Sequence, residues 1–359
     1  MKRRKKNHKL VWGIGAVIAI AALVAAQFLI TGAPCDGMIK VRKGATIGVV
    51  EDSIAATIDV SFASRVATLL SLTGSDLSKR QGAFRVNKGD SPFKVMRLLR
   101  SGAESGVKFT FNNVRTKEEF AQRFASKFMV SQDSLLAALN DSALCARFDR
   151  TPATIVGFFY PDSYEFYWDI TPEQLLEKFA GYAQKFWTAE RKAKANALGM
   201  SPEEVETIAS IVEEETNKSD ERGKVARLYL NRVKTGMPLQ ADPTVKFAIG
   251  DFSIKRLTIN MTRFQSPYNT YIAQGLPPGP IRLPEKKTID AVLNAPAHDY
   301  LYMCAKEDFS GYHNFAADYP THMANAQRYQ AELNKRGIKS NRKLINLIYN
   351  LLWNTTTNS

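Results

Sequence analysis

From Leu10 to Ile30 the chain runs without a single Asp, Glu, Lys or Arg, directly behind a segment carrying Lys2, Arg3, Arg4, Lys5, Lys6 and Lys9. A helix needs about 20 predominantly apolar residues to cross the hydrocarbon core of a bilayer, so the stretch predicts a transmembrane helix over 10–31. A cleavable signal peptide has the same charge order, but its apolar core is only about 7–15 residues long. Basic residues flanking a first span stay in the cytoplasm. That places 1–9 inside and everything after Thr31 outside the membrane, in a single-pass protein of the cell (inner) membrane. Cys35 follows the span in Gly32-Ala33-Pro34-Cys35, where the proline fits lipoprotein processing poorly.

The net charge is +14, and the first nine residues supply six of those charges, leaving about eight on the exported part. Such a balance favours a polyanionic neighbourhood. For an exported chain that means anionic lipid or cell-wall polymer rather than nucleic acid, with a merely solvated basic surface as the bland alternative. With 359 residues, 45% hydrophobic and 23% charged, the chain can build one large domain or two ordinary ones. Cys145 and Cys304 have no neighbour at zinc-ligand spacing, so neither a disulfide framework nor a zinc site is expected.

Residues 38–106 read as a small α+β module: a β-rich run at Ile47-Gly48-Val49-Val50 and helices over 62–72 and 92–99. Gly82-Ala83-Phe84-Arg85-Val86, the turn Lys88-Gly89-Asp90 and a helix from Pro92 have the order of a LysM-like unit, a fold that often grips glycan. Beyond it, 107–340 alternates a strand (107–111), helices (117–128 and 133–139) and the aromatic stretch Gly157-Phe158-Phe159-Tyr160-Pro161-Asp162. Phe158, Phe159, Tyr164 and Phe166 are most simply core residues; Tyr160 and Asp162 are candidates for the border of a cleft. A further helix is expected over 171–197. The terminal extension 341–359 is apolar over most of its faces.

Ser201-Pro202-Glu203-Glu204 combines an N-cap serine, proline at the first helical position and glutamate at the third, so a helix starts here. At ~100° per residue, Val205, Ile208, Ile211, Val212 and Glu215 share one stripe. Glu206 and Glu213 point the opposite way and Glu214 lies between. A carboxylate against an apolar surface has a raised pKa and can donate a proton near neutrality. The bland alternative is an ion pair of Glu215 with Arg222, Arg227 or Arg232.

The run Ile208-Ala209-Ser210-Ile211-Val212-Glu213-Glu214-Glu215-Thr216 resembles the signature of the MltG/YceG-like endolytic peptidoglycan transglycosylases. Asn231-Arg232, Leu239-Gln240-Ala241-Asp242-Pro243-Thr244-Val245, Tyr268-Asn269-Thr270-Tyr271 and Gly275-Leu276-Pro277-Pro278-Gly279-Pro280-Ile281 follow in the family's order. Tyr160-Pro161-Asp162 upstream and His313-Asn314-Phe315 with His322 and Asn325 downstream resemble its outer elements. The resemblance implies an α+β protein: a transmembrane helix, a LysM-like module, then a mixed α/β catalytic domain with its active-site glutamate on a helix. It makes Glu215 the catalytic acid and base, with Glu213 next in line.

It further implies a lytic transglycosylase that cuts the bond between N-acetylmuramic acid (MurNAc) and N-acetylglucosamine (GlcNAc) in nascent strands. The product is a 1,6-anhydro-MurNAc end, and the cut sets strand length. No metal or organic cofactor is implied, and the implied partners are peptidoglycan strands and the peptidoglycan synthases (penicillin-binding proteins). Gln240, Asp242, Tyr268, Asn269 and Tyr271 are the expected substrate-binding residues, with turn chemistry as their bland alternative. The Gly275–Pro280 segment is expected as a rigid wall, and His313 and His322 as ordinary hydrogen-bonding residues. A muramidase-type hydrolase and a non-catalytic glycan-binding scaffold are the competing functions.

Overall fold

The apolar N-terminal run forms one continuous helix, α1 (Lys2–Leu29), in the computed structural model, which describes residues 2–336. Its Leu10–Leu29 stretch is long and apolar enough to cross a membrane, and Trp12, Ile14, Ile20 and Leu23 on it are exposed. The chain then enters β1 (Gly37–Val41), α2 (Ile47–Thr57), α3 (Val60–Leu72), β2 (Gly82–Val86) and α4 (Pro92–Ser101). β1 and β2 pair antiparallel with Ile39 opposite Phe84. Their inward side chains Ile39, Val41, Phe84 and Val86 close one core with Phe62, Val66 and Leu70 of α3.

Ile47-Gly48-Val49-Val50 is not a strand but the first turn of α2. The Thr46 hydroxyl caps it by accepting from the Val49 N–H at 3.4 Å, and Val50 and Ile54, one helical turn apart, are buried in the core, with Ile47 and Ala55 packed against it. Packing on a helical period outweighs the β-branched composition here.

β3 (Val107–Phe111), α5 (Lys117–Ala125), α6 (Gln132–Asn140), α7 (Ser142–Ala146) and β4 (Asp162–Phe166) follow, with β3 paired to β4. The helix expected over 171–197 is two, α8 (Pro172–Phe186) and α9 (Ala189–Ala197), because Thr188 starts a new N-cap and accepts from the Arg191 N–H at 3.3 Å. Next come α10 (Pro202–Glu215), α11 (Arg222–Thr235), α12 (Asp242–Ile249), α13 (Lys286–Leu293), β5 (Tyr302–Ala305), β6 (His313–Ala316) and α14 (Tyr319–Lys335). The fold is thus α+β but mostly helical, its strands confined, among the described residues, to three two-stranded sheets. The extension 341–359 lies outside the described residues.

Two compact units result. The first holds the described residues up to Phe109 with Phe124–Ser131 and Ser163–Thr171; the second holds Thr110–Arg123, Gln132–Asp162 and the described residues from Pro172 onward. In the second, Phe111, Phe120, Phe159 and Phe179 form an aromatic core, with Phe159 stacked on Phe179 at 4.4 Å.

The Gly275–Pro280 segment makes its close approach not at a cleft but against 153–157 of the same unit. A Cβ on Gly279 would stand 2.2 Å from the carbonyl oxygen of Ala153, and one on Gly157 would stand 3.3 Å from the Pro280 ring. Gly279→Ala is therefore expected to cost about 2 kcal/mol, because it must force two stretches of backbone apart. Urea unfolding of the two proteins measures it, and an unchanged midpoint would refute the tight contact.

Candidate active site

α10 begins as its sequence dictates. The Ser201 hydroxyl accepts from the Glu204 N–H at 3.2 Å and the Glu204 carboxylate accepts from the Ser201 N–H at 2.8 Å, a complete capping box. The single-stripe expectation fails beyond that point. α9, α11, α12 and α13 all pack against α10, so it has no solvated face, and Glu206 and Glu213 are buried with the aliphatic residues.

Three successive glutamates end the helix with three different fates. Glu213 is 4% exposed; its Oε2 accepts from the Glu285 N–H and the Thr288 hydroxyl, both at 2.9 Å. Its Oε1 lies 3.1 Å from an Arg282 nitrogen without hydrogen-bond alignment. Glu214 takes a two-pronged pair from Arg115, at 2.9 and 3.1 Å, and a third bond from Arg282 at 2.7 Å. Glu215, the last residue of α10, is half-buried and opens into a cleft of about 270 Å³.

None of the three candidate arginines claims Glu215. Arg222 binds Glu285 and Thr288, and Arg227 binds the carbonyls of Ala295 and Pro296. Arg232 donates to the carbonyls of Leu301, Pro238 and Leu239. Instead the Tyr229 hydroxyl donates to Glu215 Oε1 at 2.7 Å. Burial among protein atoms pushes the Glu215 carboxyl up to about 7. The Tyr229 hydrogen bond opposes that rise, the nearby Asp242 carboxylate adds to it, and Arg232 and Lys246 pull it down.

α11 supplies Leu228, Tyr229 and Arg232 to the cleft, and Gln240, Asp242 and Tyr271 line another part of it; Met303, Cys304, Ala305 and His313, from β5 and β6, complete the lining. Arg232 builds these walls through its three carbonyl partners, which tie α11 to the turn before Gln240 and to the entry of β5. Gln240 has a positive φ of +48°, a conformation a non-glycine residue adopts only when its surroundings impose it. Thr270 does so by accepting from the Gln240 N–H at 3.0 Å with its carbonyl and from the Ala241 N–H at 3.0 Å with its hydroxyl. Asp242 is the first residue of α12, not a turn residue. It accepts from the Tyr271 hydroxyl at 2.5 Å, and burial raises its carboxyl.

Of the expected binding residues, Gln240, Asp242 and Tyr271 therefore share the cleft with Glu215. Tyr268 and Asn269 do not line it. Tyr268 packs on Phe247 at 4.8 Å. Asn269 is fully buried, donating to the carbonyls of Thr262 and Phe264 and accepting from the Tyr271 N–H, so it fastens the loop that carries Tyr271. Tyr160 is also buried, on Glu206, rather than at the cleft border, and Asp162 pairs with Lys286. The Tyr229 contact escapes sequence reading because the two residues sit on different helices, α10 and α11, whose packing no spacing in the sequence fixes. Among the described residues no group of three His, Cys, Asp or Glu side chains is placed to hold a metal.

The YceG-like family model matches residues 39–328. The chain belongs to the YceG-like family. This YceG-like chain is 28% identical over 247 residues to the endolytic murein transglycosylase of Bacillus subtilis, a match covering 63% of this chain and 67% of the relative. It is 28% identical over 204 residues to the endolytic murein transglycosylase of Streptococcus pneumoniae, covering 54% of this chain and only 36% of the relative. The chain thus spans about a third of the pneumococcal protein. Its fold is similar to that of a yceG-like protein from Listeria monocytogenes, with a TM-score of 0.53 at 22% identity, covering 80% of this chain and 98% of that one.

In this YceG-like chain the Tyr229 hydroxyl stabilises the charged form of Glu215, so Tyr229→Phe is expected to raise the Glu215 pKa further above its present value of about 7. A pH titration of the Glu215 carboxyl by carbon NMR reads the shift, and an unmoved midpoint would show that the bond does not form.

Proposed function

We propose that the chain is an endolytic lytic transglycosylase that cleaves the MurNAc–GlcNAc bond of peptidoglycan strands, with Glu215 as its catalytic acid and base. One observation carries the reading. Of the three glutamates that end α10, Glu213 and Glu214 are consumed by arginines and backbone, whereas Glu215 alone opens into the cleft, with its carboxyl raised to about 7.

A carboxyl in that state still carries its proton near neutrality and gives it to the glycosidic oxygen as the bond to the muramic C1 breaks. The C6 hydroxyl of the same sugar then closes on C1 and releases its proton to the site. An internal nucleophile removes much of the entropic cost of recruiting a water. Gln240 and Tyr271 supply polar groups for acetamido and hydroxyl contacts, and Asn269 positions the Tyr271 loop. We assign α1 as the membrane anchor and the module 38–106, β1 through α4, as a LysM-like glycan grip. That arrangement places the cleft outside the membrane, where strands leave the peptidoglycan synthases.

Asp242 favours a second reading. Glycosidases that use water need two carboxylates, and Asp242 lines the same cleft as Glu215. Mass spectrometry of peptidoglycan digested by the full-length chain in detergent separates the two. Anhydro-MurNAc ends are the expected product; reducing ends would make the protein a hydrolase, and strand binding without cleavage would make it a scaffold.

A further inference from the structure

A second cleft, of about 80 Å³, opens beside the one of about 270 Å³ that holds Glu215. Glu214 and Pro243 line the small cleft, and their chain neighbours Glu215 and Asp242 line the large one. The two therefore share a wall made of the steps 214–215 and 242–243. The small cleft has the scale of a side group rather than of a sugar ring. Arg115, Lys246, Phe252 and Ile281 complete its lining.

Its chemistry is mixed. The Arg115 guanidinium binds Glu214 through Nε at 2.9 Å and Nη2 at 3.1 Å, and it lies 5.2 Å from the centre of the Phe252 ring, so it stands between two residues of the lining. Its side chain is 40% exposed, and Nη1 has no partner among the described residues. Glu214 also accepts from Arg282 at 2.7 Å, so its charge is shared between two arginines. Lys246 forms no ion pair among the described residues. Burial raises the carboxyls of Glu215 and Asp242, and Lys246 opposes that rise in both, so its charge acts at the shared wall. The excess charge of the small cleft is thus positive, and Phe252, Pro243 and Ile281 add apolar surface to it. Two cations beside apolar carbon suit a short branch that ends in a carboxyl group. In a peptidoglycan strand only the muramic residue carries such a branch next to its ring, the lactyl arm.

We infer that the small cleft is the subsite for the lactyl arm of the muramic residue whose bond is cut, with Phe252 and Pro243 against its methyl group and Arg115 and Lys246 holding its carboxyl end. The inference rests on the transglycosylase reading above. On a peptide-free strand that end is a carboxylate; where a stem peptide is attached it is an amide carbonyl, which accepts from the same donors more weakly. GlcNAc and MurNAc alternate along the strand and differ only by this arm. A pocket that holds the arm next to Glu215 therefore fixes which of the two alternating linkages meets the acid.

The test is strand binding by full-length Glu215→Gln protein in detergent, a background in which nothing is cut and Lys246 has no Glu215 titration to perturb. The ligands are peptide-free strands, the same strands with the lactyl carboxyl methyl-esterified, and stem-bearing strands. Adding Lys246→Met is expected to weaken binding of peptide-free strands by about 10-fold, the scale of a hydrogen bond to a charged group. It should weaken stem-bearing strands less and leave esterified strands unchanged. Esterification should itself weaken binding to the protein that retains Lys246. Arg115→Met should give the same pattern, with Arg282 still holding Glu214. A structural role for either residue would weaken all three ligands alike, and that result would overturn the assignment, as would esterification without effect. A larger loss on stem-bearing than on peptide-free strands would put the anion on the stem peptide and overturn it too. Failure of the transglycosylase reading is distinct, since it shows as wild-type protein that releases no anhydro ends, whereas these differences are read without cleavage.

Discussion

Glu215→Gln is expected to lower the release of anhydro-MurNAc ends by about 10³-fold, the range associated with loss of a positioned proton donor. Glutamine preserves the shape of the side chain and can still accept from the Tyr229 hydroxyl, which lies 2.7 Å from Glu215 Oε1, so the cleft should survive intact. The wild-type pH profile should carry the same signature. A donor works only while protonated, so activity holds below the Glu215 pKa of about 7 and falls as pH rises through it.

Wild-type stability should fall in the same direction of pH, whereas in Glu215→Gln stability and activity should part. The folded-state pKa of Glu215 is raised above its ordinary 4.5, so the folded protein holds a proton that the unfolded chain has released. Wild-type stability is therefore lost as pH rises from about 4.5 to about 7, and the loss is complete above that window. Discounted for the part of Glu215 that faces solvent, the cost is on the order of 2 kcal/mol. Glu215→Gln should unfold at a higher temperature than wild type at pH 8 and at the same temperature near pH 4. Glu213→Gln should reverse both behaviours, retaining the chemistry and losing on the order of 2 kcal/mol, because Glu213 is spent on Glu285, Thr288 and Arg282. Product analysis beside thermal unfolding separates the two. If the Glu213 variant lost activity while the Glu215 variant kept it, the roles would be exchanged.

The start of this helix was legible because a capping box is local: Ser201, Pro202 and Glu204 need only one another. Its burial was not. The stripe of Val205, Ile208, Ile211 and Val212 assumes a helix with one solvated face, and four neighbouring helices deny α10 such a face. Glu215 differs from Glu213 not by lying deeper but by ending the helix where the chain turns away and a cleft begins. The same limit applies to the binding residues. Gln240, Asp242 and Tyr271 reach the cleft and Asn269 does not, although Asn269 and Tyr271 stand two residues apart in one loop. Which of them faces outward depends on carbonyls at 262 and 264 and on Thr270 bridging to 240–241. The partners of Tyr229 and His313, which are Glu215 and Glu221, likewise come from other elements, and no spacing in the sequence announces them.

Arg150→Met is expected to destabilise the chain by about 3–5 kcal/mol, the cost of stranding one member of a buried ion pair. Arg150 Nη1 lies 2.7 Å from Glu206 Oε2, and Glu206 is completely buried on α10. The other Glu206 oxygen accepts from the Tyr160 hydroxyl at 2.7 Å and the Trp187 indole at 3.0 Å. Gly157 leaves the space, since a Cβ there would stand 2.7 Å from Glu206 Oε2. Without Arg150 the carboxylate keeps its two neutral donors but loses its countercharge. In a double-mutant cycle, Arg150→Met with Glu206→Leu should recover part of the loss, because an apolar pair strands no charge. Strict additivity of the two single changes would show that the pair is not coupled. Glu206 lies on the helix that ends at Glu215, and its three partners fix the rotation of α10 about its axis. Any Arg150 variant that still folds but turns the helix should shift the Glu215 titration away from about 7, which ties the buried pair to the placement of the cleft carboxyl.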